Sequence, residues 1–188
     1  LDPALPTPFS SRLTLLLRGE DSSYSSQGLD LFSSGSDTRG ASQVISADLD
    51  GDGRVELVTA NAETDNLLVL LQDSRGRFTN RRSVLSMEGG LDGVRTLAAA
   101  ELDGDGRLDL VAAGSFSDDL AWFRQVTAGG FAPPVSIDTG GLLKDPLQLL
   151  AEDVNRDGMC DLMSTVNESD NVVLFIQRAD REACFLYN

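Results

Sequence analysis

Histidine is absent from this chain of 188 residues. Its absence removes the commonest general base and the commonest ligand for zinc or copper. Cysteine is nearly absent: Cys160 and Cys184 are too few for a disulfide framework or a cysteine-rich zinc site. Positive charge is scarce, with 15 basic residues against 30 acidic ones, a net charge of −15, and Lys144 as the single lysine. A phosphate backbone would be repelled and no basic stripe exists to neutralise it, which excludes nucleic acid as a partner. Long apolar runs are missing as well, none approaching the roughly 20 residues of a membrane span. The opening LDPALPTPFS carries no initiator Met, no basic start and no apolar stretch of a signal peptide. The chain is therefore expected to start after a processing event or to be a piece of something longer.

What is present is repetition. SADLDGDGRVELVTANAETDNLLVLLQDSRGRF from Ser46, AAELDGDGRLDLVAAGSFSDDLAWFRQVTAGGF from Ala99 and AEDVNRDGMCDLMSTVNESDNVVLFIQRADREACF from Ala151 align without gaps through their first halves. Asp48, Glu101 and Asp153 open three acidic loops at spacings of 53 and 52 residues. The same register groups Asp65 with Asp118 and Asp170, and Gln72 with Gln125 and Gln177. A partial fourth copy lies upstream, where LTLLL at Leu13–Leu17 stands 53 residues before NLLVL at Asn66–Leu70 and Tyr24 falls near the Phe78 slot. The Ser- and Gly-rich tract from Ser22 to Ser42 matches the connection from Gly76 to Val94, so it reads as an outer strand with its loops rather than as a linker.

Within each copy the apolar runs are short and bounded by Gly, Asp, Asn and Ser, as in antiparallel strands. Strands are expected at Gln43–Ala47 before the first loop and at Glu56–Ala60, Asp109–Ala113 and Asp161–Thr165 after the three loops. A third set is expected at Asn66–Gln72, Asp119–Gln125 and Asn171–Gln177, with an outer strand such as Arg81–Ser86. No window between the turns holds the roughly 10 periodic residues of a helix. The fold class is all-β, with propeller blades of about four short antiparallel strands each. Residues 1–188 read as one propeller segment of about three and a half blades: a partial blade at about 12–42, then blades at about 43–95, 96–146 and 147–188.

Each loop places oxygen-bearing side chains at positions 1, 3, 5 and 9 and Gly at position 6. The sets are Asp48, Asp50, Asp52 and Glu56; Glu101, Asp103, Asp105 and Asp109; and Asp153, Asn155, Asp157 and Asp161. Odd spacing in a tight turn lets alternate side chains converge on one point, and position 7 (Arg54, Arg107, Met159) can add a backbone carbonyl. Numerous hard oxygens in a pliable loop suit Ca²⁺ better than Mg²⁺. Crowding these carboxylates without a cation would set them in mutual repulsion or force protonation. Up to three Ca²⁺ are expected. Asp and Gly also make good turns without metal, but a turn needs no acid at position 9. A helical calcium hand would carry Glu at position 12, where Thr59, Ala112 and Ser164 stand, so that reading fails.

With these residues in view the repeats resemble the FG-GAP or VCBS family, whose blades also build the calcium-binding propeller of integrin α subunits. The likeness rests on the D-x-D-x-D-G-x-x-D loop and on the GRF and GGF turns ending at Phe78 and Phe131, and it covers about Leu13 to Phe185. It implies a propeller, typically of seven blades, with Ca²⁺ loops outside the central channel. Glu101 departs from the pattern at position 1, and the third copy lacks the terminal aromatic, with Ala183 and Cys184 nearby. Seven blades would need roughly 370 residues, so the chain is expected to be a segment of a larger protein or to close against another subunit.

The function implied is a non-catalytic, calcium-stabilised module for adhesion, for protein or glycan binding, or for scaffolding, in a secreted, cell-surface or organelle-lumen setting where Ca²⁺ is plentiful. Its partner is a protein, a glycan or further blades. The alternative is an accessory or catalytic domain of a secreted carbohydrate- or lipid-active enzyme. Acids outside the loops, such as Asp30, Glu88, Asp92 and Asp145, follow no spacing rule that would support catalysis. Trp122 and Phe123 are expected to pack between blades. Asn167-Glu168-Ser169 is a glycosylation sequon in a turn. Cys160 and Cys184 fall two strands apart, about 10 Å, and are expected to remain unbridged.

Overall fold

Strand formation follows the turn chemistry of each repeat, and the strands assemble into separate antiparallel sheets. The computed structural model describes residues 12–18, 21–30, 39–87, 90–168, 171–178 and 185–187. β1 (Arg12–Arg18) pairs with β2 (Tyr24–Asp30) as a two-stranded sheet. β3 (Ala41–Ala47), β4 (Glu56–Asn61), β5 (Asn66–Gln72) and β6 (Phe78–Ser86) form a four-stranded sheet in chain order. β7 (Val94–Ala100), β8 (Asp109–Gly114) and β9 (Leu120–Phe123) begin the next. The small hairpin β10 (Gln125–Thr127) and β11 (Gly130–Phe131) then precedes its outer strand, β12 (Val135–Ile137). β13 (Pro146–Glu152), β14 (Asp161–Val166), β15 (Asn171–Gln177) and β16 (Phe185–Tyr187) form the last four-stranded sheet. The described residues contain no helix. The all-β class with four-stranded antiparallel blades is what the repeat pattern predicts.

The sheets stack through both faces. β7 lies beside β3 on one side and β13 on the other, so the first strands of successive sheets are neighbours. Leu67 and Val69 of β5 join Leu110, Ala112, Ala121 and Phe123 in a core between the first two four-stranded sheets. On the other face of β5, Leu68 and Leu70 pack with Leu57 and Phe78. In the middle sheet Val111, Ala113 and Leu120 turn the opposite way and pack against Leu149, Leu162 and Phe175 of the third. Period-2 alternation thus sends neighbouring side chains into two different cores, which is why NLLVLL reads as an unbroken apolar run. Trp122 and Phe123 pack between sheets as expected, one against each core.

Polar contacts repeat from junction to junction. The first strand of each four-stranded sheet has a register shift near its start, between Ala41 and Gln43, Val94 and Thr96, and Pro146 and Gln148. Such a bulge re-aims the following side chain. Gln43 Oε1 accepts Leu97 N–H at 2.7 Å and Thr96 Oγ accepts Leu149 N–H at 2.9 Å, each in the next sheet. Asp65 Oδ1 accepts Gly93 N–H at 2.7 Å, and Asp118 Oδ1 accepts Asp145 N–H at 2.9 Å. Asp65 and Asp118 stand at φ 51° and 58°, backbone that Asp tolerates better than most residues.

β3, β4, β8 and β14 each run one or two residues past their expected limits, and two strands differ more. β6 begins at Phe78 rather than Arg81, because the turn closes at Gly76 (φ 72°) and pairing resumes at Gln72 with Phe78. β9 ends at Phe123 rather than at Gln125. Beyond it the chain folds back into β10–β11, closed by Ala132 N–H to the Arg124 carbonyl at 2.8 Å, and Pro133 and Pro134 delay the return strand to Val135 because they lack an N–H to pair. Asp170, Ser169, Glu88, Ala183 and Cys184 lie outside the described residues.

Candidate metal centre

The three acidic loops are equivalent connections from the first to the second strand of a sheet. Each is closed by the pair just outside it: Ala47 with Glu56, Ala100 with Asp109, and Glu152 with Asp161. Position 9 therefore starts the second strand, and its side chain is buried in all three, at 1% exposure for Glu56 and 0% for Asp109 and Asp161. Positive φ at Gly53 (83°), Gly106 (81°) and Gly158 (89°) makes the sharp turn at position 6. Position 4 has the same conformation at Gly51 and Gly104, but in the third loop Arg156 must adopt it at φ 63°.

A ladder of side-chain to backbone hydrogen bonds repeats at positions 3 to 7 of the loops. Position-7 amides of Arg54, Arg107 and Met159 each donate to the position-5 carboxylate of Asp52, Asp105 and Asp157 at 2.9 Å. Position-5 amides donate to Asp50 Oδ1 at 3.3 Å, Asp103 Oδ1 at 3.2 Å and Asn155 Oδ1 at 2.8 Å. Position 1 is where the loops diverge. Asp48 and Asp153 accept the amides at positions 5 and 6, Asp52 and Gly53 in one loop and Asp157 and Gly158 in the other. Glu101, longer by a methylene, accepts the position-4 amide of Gly104 at 2.5 Å, as Asp48 accepts Gly51 N–H at 2.8 Å, but takes Asp103 N–H at 3.1 Å in place of the amides at positions 5 and 6.

Acid oxygens of Asp48, Asp50 and Glu56 lie within 4.8 Å of one another, and so do those of Glu101, Asp103 and Asp105. These two clusters could hold a metal ion. Asp52 is not in the first cluster; its Oδ2 pairs with Arg54 Nη2, as Asp105 Oδ2 pairs with Arg107 Nη2. Asp109 is not in the second, since Gln125 N–H occupies its Oδ1 at 2.7 Å and the Trp122 indole its Oδ2 at 2.9 Å. Among the described residues no three acids of the third loop converge as closely. There Asn155 offers a neutral oxygen and donates through Nδ2 to Asp157 Oδ2 at 2.9 Å, while Asp161 accepts Val154 and Gln177 amides.

The electrostatics match the donor set. Burial raises the Glu56 pKa against the pull of the Leu49 amide, and Asp50 and Asp52 push it further up. Burial also raises Asp103, with Asp105 and Glu101 adding to it. Asp109 is pushed up to about 6, chiefly by burial and against its bonds from Gln125 and Trp122. Each cluster holds negative charge that a cation would offset, and its oxygens are hard donors with no nitrogen or thiolate among them. Cys160 is a free, half-buried thiol beside the third loop, raised to about 11 by burial and then by Asp161 and Glu152. It is protonated at neutral pH and no nucleophile.

Two features that carry the repeat were visible in its register but had no role there. Asp65 and Asp118 bind the start of the next sheet, and Gln125 and Gln177 reach the preceding sheet's acidic loop. The bond from Trp122 to Asp109 had no signal at all, since the other repeats lack an indole. Antiparallel four-stranded blades, stacked through both faces and each carrying an acidic loop between its first and second strands, define a β-propeller-like repeat module. The FG-GAP-like repeat family model matches residues 48–112 and again residues 101–164, together more than half of the 188-residue chain. The protein belongs to the FG-GAP-like repeat family. A search among curated proteins matched none.

Proposed function

We propose that the chain is a non-catalytic β-propeller segment whose acidic loops bind Ca²⁺ and whose blades present a surface to a protein or glycan partner, in a secreted, cell-surface or organelle-lumen setting. The observation that carries this reading is the gathering of Asp48, Asp50 and Glu56, and again of Glu101, Asp103 and Asp105, at the same place in successive blades. Asp52, Asp109, Asp153, Asn155, Asp157 and Asp161 complete the donor sets, with the carbonyls of Arg54, Arg107 and Met159 at position 7. Up to three ions would bind, the third loop most weakly for want of one carboxylate. Residues 1–188 act in this reading as one propeller segment of about three and a half blades. A groove of about 650 Å³ between the second and third four-stranded sheets, bordered by Glu101, Trp122, Arg124, Met159 and Arg178, is where a partner would meet the second loop.

Calorimetric titration of the chain with CaCl₂ and separately with MgCl₂ tests the metal assignment. Two to three Ca²⁺ per chain, with Mg²⁺ binding weaker or absent, is the expected result. Absence of heat and of bound calcium in the folded chain would reduce the loops to turns.

A further inference from the structure

Gln125 and Gln177 each touch two acidic loops. The Gln125 backbone N–H donates to Asp109 Oδ1 at 2.7 Å in its own sheet, while its Nε2 donates to the Leu49 carbonyl at 2.8 Å in the preceding sheet. Gln177 repeats this, with its N–H on Asp161 Oδ1 at 2.9 Å and its Nε2 on the Leu102 carbonyl at 2.5 Å. Both glutamines are buried, at 0% and 7% exposure. Gln125 Oε1 has no partner among the described residues, so the amide is held by its donor end.

The carbonyls they hold belong to position 2 of each loop, between the acids at positions 1 and 3. Leu49 joins the loop to the core: its N–H donates to Glu56 Oε2 at 2.8 Å, and its side chain, 2% exposed, lies in the core between two sheets. Leu102 is buried to the same 2% in the next core. Val154, the equivalent residue of the third loop, is 41% exposed. A cation drawing positions 1, 3 and 9 together in the first loop would fix the Leu49 peptide. That peptide holds the Gln125 side chain, and the Gln125 backbone holds Asp109 in the second loop. Part of the ordering needed by the second loop is then already done when the first fills, which is the condition for positive coupling.

We infer that Gln125 and Gln177 are positioning residues that couple cation binding in neighbouring loops, so that the loops fill cooperatively rather than independently. The inference rests on the Ca²⁺ reading of the loops, and it assigns the glutamines a role beyond packing the blades.

Trp122, the chain's single tryptophan, donates to Asp109 Oδ2 at 2.9 Å, so its emission reports on the second loop. The test is a CaCl₂ titration of four versions of the chain: unmodified, D50N in the first loop, Q125M and D50N/Q125M. Emission is read together with calorimetry, which counts the ions bound whatever the indole reports. With Gln125 in place, D50N is expected to raise the second-loop midpoint about fivefold or more; in the Q125M background it should shift by less than about twofold. Equal shifts in both backgrounds would overturn the coupling and leave Ca²⁺ binding standing. No calcium bound to the unmodified chain would overturn the metal reading and the coupling with it. Q177M with D157N in the third loop runs the same cycle from the other side, so the inference stays open to refutation if Q125M fails to fold.

Discussion

Glu101 and Asp48 open equivalent loops, yet one methylene changes which amides each carboxylate reaches. E101D is expected to move the acceptor back to the position-5 and position-6 amides and to lower the second-loop Ca²⁺ midpoint by about threefold, the scale of one hydrogen bond. Trp122 emission measures it, and a midpoint unchanged or raised would speak against the loop geometry. Asp109 gives a second prediction. Its pKa is raised from 3.8 to about 6, so between those values the folded chain keeps a proton that the unfolded chain has released. Its contribution to stability is therefore fully present at low pH and lost as pH rises through about 6. Thermal melts of the chelated protein should show Tm falling across that window. Saturating Ca²⁺ should remove the fall, because the ion favours the ionised carboxylate. At this scale the oxygen-bearing side chains of the loops, their spacing and the turn glycines are legible in the sequence. The sharing of Asp109 between Trp122 and Gln125 is not, because it depends on where the third strand returns beside the loop.

Among the elements, the junctions between sheets carry the strongest predictions. Asp118 combines positive φ with acceptance of the Asp145 amide at 2.9 Å and a 2.8 Å ion pair to the exposed Lys144, which together with that amide hold its carboxyl below the usual range against the effect of burial. D118A should destabilise the chain by about 1–3 kcal/mol, through the unsatisfied amide and the strained backbone. D118N keeps an acceptor and tolerates the same φ, so it should cost less than half as much. Urea unfolding of both variants decides it, and equal losses would remove the hydrogen bond from the account. Phe123, 1% exposed in the core between the first two four-stranded sheets, should cost about 3–5 kcal/mol as F123A. Strand identity was legible wherever a run was bounded by turn residues, as with β5 and β15, whose limits match the sequence reading. The sequence predicts a β9 longer than the four residues observed, because nothing local distinguishes Arg124-Gln125 from a continuing strand. The return strand starts late because Pro133 and Pro134 lack an N–H to pair, whereas the bond from the Gln125 amide to Asp109 has its equal at Gln177, where β15 continues to that residue.

For the whole molecule, a net charge of −15 and two converging acid clusters among the described residues mean that the metal-free chain works against its own repulsion. The repeat, and with it the family, could be read from three aligned segments. How the sheets stack could not, because stacking depends on contacts between them, such as Leu97 N–H with Gln43, that no single repeat encodes. We propose that cations hold these loops, and through them the blades, in place. Thermal unfolding of the purified chain, followed by circular dichroism in excess Ca²⁺ and in chelator, tests it most directly. A β spectrum whose Tm rises by several degrees or more with Ca²⁺ is the predicted result. A folded β protein with the same Tm in both conditions would contradict it.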